Sequence, residues 1–388
     1  MSIFSILDSP ALGGAEQYLL SNLEFLAEKK IKITLATHNQ EIKNKYQDKF
    51  EIIDLPYRLD LIGNKRGVIK FFLQAPLALF WITKILRKMK RKSQQVVAYT
   101  PGFTERLLFS PIIKLLKIKL IWLEFGPVQA VFKRNLGLPE LLYKLVQSFP
   151  DQVITISKTS RQSLASYTSI DESKITVAYP GVKKITATQL KTLQKKGVSW
   201  RKNKQLTSKK LITFVGRLAQ EKEVDLLIKA FSKLKLKNIK LVIIGTGPAK
   251  EIYQRLVKKL KIEANVLFTG YVSDQEKNMI LATSNIFVFP SAWPMEGFGI
   301  TTIEAMMMAL PVITARSGPQ REIVANYQTG LFFQPKNATS LVAKINFLLT
   351  HHYLAKQIGQ QARAKAIQQF DQKLMHQQTL ELIQSICV

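Results

Sequence analysis

Short, unbroken apolar runs, each followed by turn residues, constrain this chain more than any other feature. In the second half they are Leu211-Ile212-Thr213-Phe214-Val215, Leu241-Val242-Ile243-Ile244, Val266-Leu267-Phe268-Thr269, Ile286-Phe287-Val288-Phe289 and Pro311-Val312-Ile313-Thr314, with starts 20–30 residues apart. Helical patterns fill the gaps, as at Leu226, Leu227, Ala230, Phe231 and Leu234. A strand covered on both faces by helices needs no polar alternation, so continuous runs at this spacing predict βαβ units in a parallel sheet. The first half repeats the rhythm, with strands expected at 3–7, 31–37, 50–55, 95–100, 118–123 and 152–156 and helices at 15–27 and 138–147. The stretch 338–386 has a helical pattern and is rich in Gln.

The length of 388 residues accommodates two such domains. The expected division is an N-terminal domain at 1–182, a basic linker at 183–210, a C-terminal domain at 211–365, and a helix at 366–388 packing back on the N-terminal domain. The linker reading rests on composition. Residues 183–210 hold ten Lys and Arg and no acidic residue, with few apolar anchors. A single cysteine, Cys387, excludes a disulfide framework and a four-thiolate zinc site. Residues 1–7 lack the basic start of a signal peptide, and Asp8 ends the apolar stretch.

The chain carries 57 Lys and Arg against 27 Asp and Glu, a net charge of +30. Such an excess attracts anionic surfaces, lipid or nucleic acid. One segment, Arg66–Lys92, combines basic ends with Phe71, Phe72, Leu77, Phe80 and Trp81. Its apolar part falls short of the roughly 20 residues needed to span a bilayer. It fits either an interfacial helix or a buried core helix, and Pro76 is expected to kink or interrupt it. No zinc-finger spacing or RNA-binding aromatic motif accompanies the charge, so a nucleic-acid partner is not expected.

Ligands of open parallel sheets bind beyond the carboxyl ends of the strands. After the first strand, Gly13 and Gly14 precede a helix and allow close backbone approach of an anion. After the run ending at Val215 come Gly216-Arg217-Leu218 and Lys222. Arg offers a fork to phosphate oxygens and Lys a point charge, together suited to a diphosphate. Gly245-Thr246-Gly247 follows the next run but lacks the third glycine of a dinucleotide fingerprint. The sharpest segment is Glu296-Gly297-Phe298-Gly299-Ile300, followed by Glu304. A carboxylate accepts from two hydroxyls at once, as on a sugar or ribose diol. Glu304 is expected in the first turn of a helix, where the dipole favours its charge.

In this order these segments resemble retaining glycosyltransferases of family 4, with the GT-B fold. The Glu-x7-Glu motif is met by Glu296 and Glu304, the Gly-Arg-Leu-x-x-x-Lys motif by Gly216 to Lys222, and the N-terminal Gly-Gly loop by Gly13 and Gly14. Gly318-Pro319-Gln320-Arg321-Glu322 resembles the segment that follows the motif. The resemblance implies two Rossmann-like parallel-sheet domains facing across a cleft, the first on the acceptor side and the second binding a nucleotide-sugar. Arg217 and Lys222 would hold the donor diphosphate, and Glu304 would take the ribose hydroxyls. Glu296 would face the sugar beside the N–H groups of Gly297, Phe298 and Gly299, with Gly245 and Ile300 lining the donor site. No Asp-x-Asp occurs, so catalysis without a metal or other cofactor is expected. Two departures stand out. Glu223 replaces the family's usual Gly after the motif Lys, and Glu124 stands where a histidine is common. Glu124 can serve the reaction or be a structural charge. The expected acceptor is a glycan, lipid-linked or on a surface polysaccharide, with the protein cytoplasmic and peripheral on the inner face of the membrane. A nucleotide-sugar binder without activity, or a basic nucleic-acid-binding protein, are the competing readings.

Overall fold

The computed structural model describes residues 1–9, 13–59, 61, 65–133 and 135–387. It divides into two compact units, residues 1–180 with 373–388, and residues 181–372.

The first unit is built on a seven-stranded parallel sheet of β1 (Ser2–Ile6), β2 (Lys32–Ala36), β3 (Glu51–Ile53), β4 (Val96–Thr100), β5 (Lys119–Glu124), β6 (Gln152–Thr155) and β7 (Ile175–Val177), in the order β3-β2-β1-β4-β5-β6-β7. β1 pairs with both β2 and β4, in register Ile3 to Ile33 and Ile3 to Val97. The order reverses there, which is the signature of a doubly wound sheet. Phe4, Ala98, Leu120, Trp122 and Val153 face a helical layer that buries Ile82, Leu86, Phe109, Ile113 and Tyr143.

The second unit has a six-stranded parallel sheet of β8 (Lys210–Val215), β9 (Ile239–Ile244), β10 (Val266–Gly270), β11 (Ile286–Phe289), β12 (Val312–Ala315) and β13 (Leu331–Phe333), in the order β10-β9-β8-β11-β12-β13. Here the reversal lies between β8 and β11. β7 and β13 were not legible in the sequence. Each is three residues long, as is β3, but neither falls within the stretches that the sequence marks as strands.

The linker expectation is corrected. Residues 187–203 form a helix, Ala187–Asn203, within the second unit. Thr186 caps it, its hydroxyl accepting from Gln189 N–H while Gln189 returns a bond to Thr186 N–H. Trp200 is buried, and Gly197 packs so closely on the helix Asp274–Thr283 that a Cβ would lie 2.1 Å from Thr283. Arg201 donates to the carbonyls of Thr283, Leu206 and Lys209. The anchoring contacts reside in a few residues among many lysines, so composition concealed them.

The terminal helix Gln372–Ser385 lies mostly in the first unit. His376 stacks on Phe25 and hydrogen-bonds Ser21 across 2.8 Å, both on the helix Gly14–Glu28.

The helix Lys65–Lys92 runs through Pro76 without interruption. Pro76 lies on the exposed side, where the carbonyl that loses its donor is on the outward face. Phe71, Ala78, Ile82, Leu86 and Met89 are buried in the core of the first unit. The opposite face of the same helix remains exposed.

Candidate active site

The reversal between β8 and β11 is where a doubly wound sheet opens a crevice for a ligand. The two loops leaving that point are the ones the sequence singles out. β8 ends at Val215 and delivers Arg217 and Lys222, and β11 ends at Phe289 and delivers Ser291 and Glu296.

The first loop is held rigidly. Leu218 N–H donates to Thr246 O at 2.9 Å, Ala249 N–H to Leu218 O at 2.8 Å, and Tyr253 Oη to Ala219 O at 2.8 Å. Gly245, with φ +131°, makes this possible, since a Cβ there would lie 2.0 Å from Gly216 O. Gly245 therefore acts through packing of one strand end against the next. Glu223, after Lys222, has φ +51°, a left-handed conformation that glycine adopts without cost. Its carboxylate accepts from Ala292 N–H at 3.3 Å. Burial pushes this carboxyl above its ordinary value, and the Ala292 bond partly offsets the effect. The departure from the glycine thus ties the first loop to the second.

Lys222 and Glu296 form a two-point ion pair, Nζ to Oε1 2.9 Å and to Oε2 2.8 Å. Their side chains are 18% and 11% exposed. Ser291 Oγ also donates to Glu296 Oε2 at 3.2 Å. Arg217 pairs with Glu221 and is 61% exposed, so its guanidinium is available to solvent and ligand.

Gly299 caps the helix Ile300–Met307 with φ +93°. A Cβ there would lie 2.2 Å from Gln320 Nε2. That amide is buried and clamps the loop. It donates to Phe298 O at 2.9 Å, and its oxygen accepts from Thr302 Oγ1 at 3.1 Å. Gly297 and Ile300 are half-buried in the same turn, and Phe298 is buried against Phe370. The opening N–H groups of such a helix lack intrahelical acceptors and form an anion-favouring end.

Glu304 is the fifth helical residue, beyond the first turn, which corrects the expected dipole support. Lys277, on the helix Asp274–Thr283, holds it instead, Nζ to Oε1 2.8 Å. Glu304 Oε2 is buried and has no hydrogen-bond partner among the described residues. Burial raises this carboxyl above its ordinary value, with Lys277 opposing. Burial also works against the Lys277 charge, but Glu304 and Asp274 outweigh it and raise the ammonium. A buried carboxylate oxygen without a donor is a place for a ligand hydroxyl. Lys277, Ser291 and the clamping role of Gln320 were not foreseen. Lys277 and Ser291 carry no motif of their own, and only the fold brings them to the two glutamates.

Gly13, Gly14 and Glu124 belong to the first unit. Gly13 caps the helix Gly14–Glu28, and its N–H donates to Glu16 Oε2 at 2.8 Å. Pro10, Ala11 and Leu12 of that loop lie outside the described residues. Glu124, at the end of β5, is buried and paired with Arg106, and it accepts from Tyr143 Oη at 3.0 Å. Arg106 lies 5.6 and 5.7 Å from the ring centres of Phe103 and Trp122. These partners favour the structural alternative for Glu124.

Two family models cover most of the chain, "Glycosyltransferase Family 4" over residues 12–184 and "Glycosyl transferases group 1" over residues 198–365. The chain belongs to glycosyltransferase family 4. An uncharacterized glycosyltransferase of Methanocaldococcus jannaschii is 30% identical over 201 residues, 51% of each chain, so the match spans about half of that relative. A Campylobacter jejuni N-acetylgalactosaminyltransferase, named for a diphospho-undecaprenol-linked acceptor, is 25% identical over 361 residues, 91% of this chain and 92% of its own. Among solved structures, Anabaena HepE in complex with UDP superposes with a TM-score of 0.81 at 17% identity, covering 99% of this chain and 100% of HepE. At that identity the superposition speaks for the fold, and it agrees with the two parallel-sheet domains of this family 4 chain.

Proposed function

We propose that the chain transfers a sugar from a nucleoside-diphosphate donor to a glycan hydroxyl, with retained anomeric configuration. The observation that carries this reading is the paired constellation at the β8/β11 reversal. Lys222 and Glu296 are locked together there, and Glu304 presents a buried oxygen without a donor among the described residues. Glu304 accepts from the ribose hydroxyls. Arg217 and Lys222 neutralise the diphosphate, and Glu296 faces the sugar beside the Gly297-Phe298-Gly299 backbone. In the reaction the bond from the anomeric carbon to the diphosphate oxygen breaks, and a bond to the acceptor oxygen forms. The acceptor proton passes to the departing diphosphate oxygen, and the nucleoside diphosphate leaves. Negative charge grows on the diphosphate, so preorganised cations aimed at it supply the main catalytic effect. Arg217, Lys222 and the start of the helix Ile300–Met307 fill that role without a metal.

Two similarities support the substrate classes. HepE was solved with UDP and with UDP-glucose. The Campylobacter relative is named for an acceptor on diphospho-undecaprenol. A lipid-linked or surface glycan is accordingly the acceptor of this proposal, met at the cytoplasmic side of a membrane.

The reading is tested by transfer assays with α-configured nucleotide-sugars and polyprenyl-diphosphate-linked acceptors in excess EDTA. The expected result is an α-linked product at a rate that EDTA does not reduce. A β-linked product would overturn retention. Activity lost in EDTA and restored by manganese would overturn metal independence.

A further inference from the structure

The helix Lys65–Lys92 is used twice by the molecule. On one face Phe71, Ala78, Ile82, Leu86 and Met89 are locked in the core of the first unit. The other face presents Ile69, Phe72, Leu73, Leu77 and Phe80 to solvent, with Leu73 and Phe80 76% and 70% exposed. These are five of the seventeen large apolar side chains exposed among the described residues. Single exposed leucines need no explanation, but a run of five on one helix does.

Charge brackets the run. Arg66 and Lys70 stand at its start, and Lys84, Arg87, Lys88, Arg91 and Lys92 at its end, all exposed. The helix contains no Asp or Glu. An amphipathic helix with a large apolar face and cationic flanks lies in the plane of an anionic bilayer, its rings below the headgroups and its cations among the phosphates. In the same unit, helix Leu138–Val146 carries exposed Leu141 and Leu145, and Phe103–Leu115 packs against both it and Lys65–Lys92.

By length and composition alone, Arg66–Lys92 could cross a membrane, the only helix among the described residues that could. Its packing argues otherwise. Crossing would strip Ala78, Ile82 and Leu86, each 0% exposed, out of the core they share with Phe4, Tyr57 and Phe109. We infer that Lys65–Lys92 docks the first unit flat on an anionic lipid surface through Ile69, Phe72, Leu73, Leu77 and Phe80, with the flanking Lys and Arg on the headgroups. This inference stands on exposure and charge and is independent of the donor chemistry.

The test is co-sedimentation of the full chain with vesicles of phosphatidylcholine alone and with phosphatidylglycerol added, at 0.1 and 0.5 M salt, beside the variant Phe72→Ser/Leu77→Ser/Phe80→Ser. Thermal melting and nucleotide binding are measured on both. The wild type should bind the anionic vesicles, less strongly at high salt because exposed charges are screened beyond a Debye length of about 10 Å at 0.1 M. The variant should bind roughly tenfold or more weakly, since three large apolar anchors are gone. It should melt like the wild type and bind nucleotide equally well, so loss of lipid binding is distinguishable from failure of the donor reading. Equal vesicle binding by variant and wild type would overturn the inference. So would a wild type that ignores anionic vesicles and forms a dimer that the variant dissociates, which would assign the face to a second copy of the chain.

Discussion

Lys222→Met should cut transfer efficiency (kcat/KM) by roughly 10²–10³-fold, the cost of removing one preorganised electrostatic group. The ammonium is the only cation bonded to Glu296 among the described residues, touching both carboxylate oxygens. Its loss also strips a largely buried carboxylate of its charge partner and leaves it the Ser291 hydroxyl. Breaking such a pair from one side costs about 2–3 kcal/mol at this partial burial. The two effects separate in the double variant Lys222→Met/Glu296→Gln. The amide needs no cation, so the melting temperature of the second unit should recover while transfer stays lost. If Lys222→Met keeps wild-type kcat/KM, the diphosphate is neutralised elsewhere. If the double variant regains activity along with stability, the pair is structural.

Arg106→Met should destabilise the first unit by about 3–5 kcal/mol, the cost of orphaning one member of a fully buried ion pair. The side chains of Arg106 and Glu124 are only 3% and 6% exposed. Arg106 also donates to the carbonyls of Gly102 and Leu123. Removing both charges together, as Arg106→Met/Glu124→Leu, should restore much of the loss. Glu124→Gln should lower stability by leaving Arg106 unpaired, yet keep kcat in the folded protein. The readouts are the unfolding transition of the first unit and kcat measured well below it. Glu124→Gln with unchanged stability and abolished kcat would return Glu124 to the reaction.

Much of this molecule is visible in its sequence. Eleven strands show, most of them because a strand buried on both faces is a continuous apolar run, as at Leu241–Ile244. Gly245 and Gly299 show because no other residue fits a positive φ beside a neighbouring backbone or amide. Glu296 and Glu304 show as a pair, because each alone reads as a loop charge or a capping residue, whereas two carboxylates flanking Gly297-Phe298-Gly299 have few bland explanations. What stays hidden is set by distance along the chain. Lys277 is 27 residues from Glu304. Arg106 is 18 residues from Glu124 and on a different element, so the sequence left Glu124 open between catalysis and structure. In the segment 183–210 charge dominates the composition and reads as a linker, while Trp200, Gly197 and Arg201 decide the packing. The helix Lys65–Lys92 offered burial and exposure as alternatives, and the fold uses one face for each.

The most direct test of the central claim is a binding panel of UDP, GDP and ADP with their common sugar conjugates, in EDTA, on the wild type and Arg217→Ala. A ligand at 100 times its Kd should stabilise the folded chain by about 2.7 kcal/mol, a clear shift in melting. The expected result is a shift with one nucleotide family, reduced or lost in Arg217→Ala, which would place the diphosphate at the β8/β11 reversal and name the base. No shift with any nucleotide, or a shift that Arg217→Ala leaves unchanged, would contradict the account.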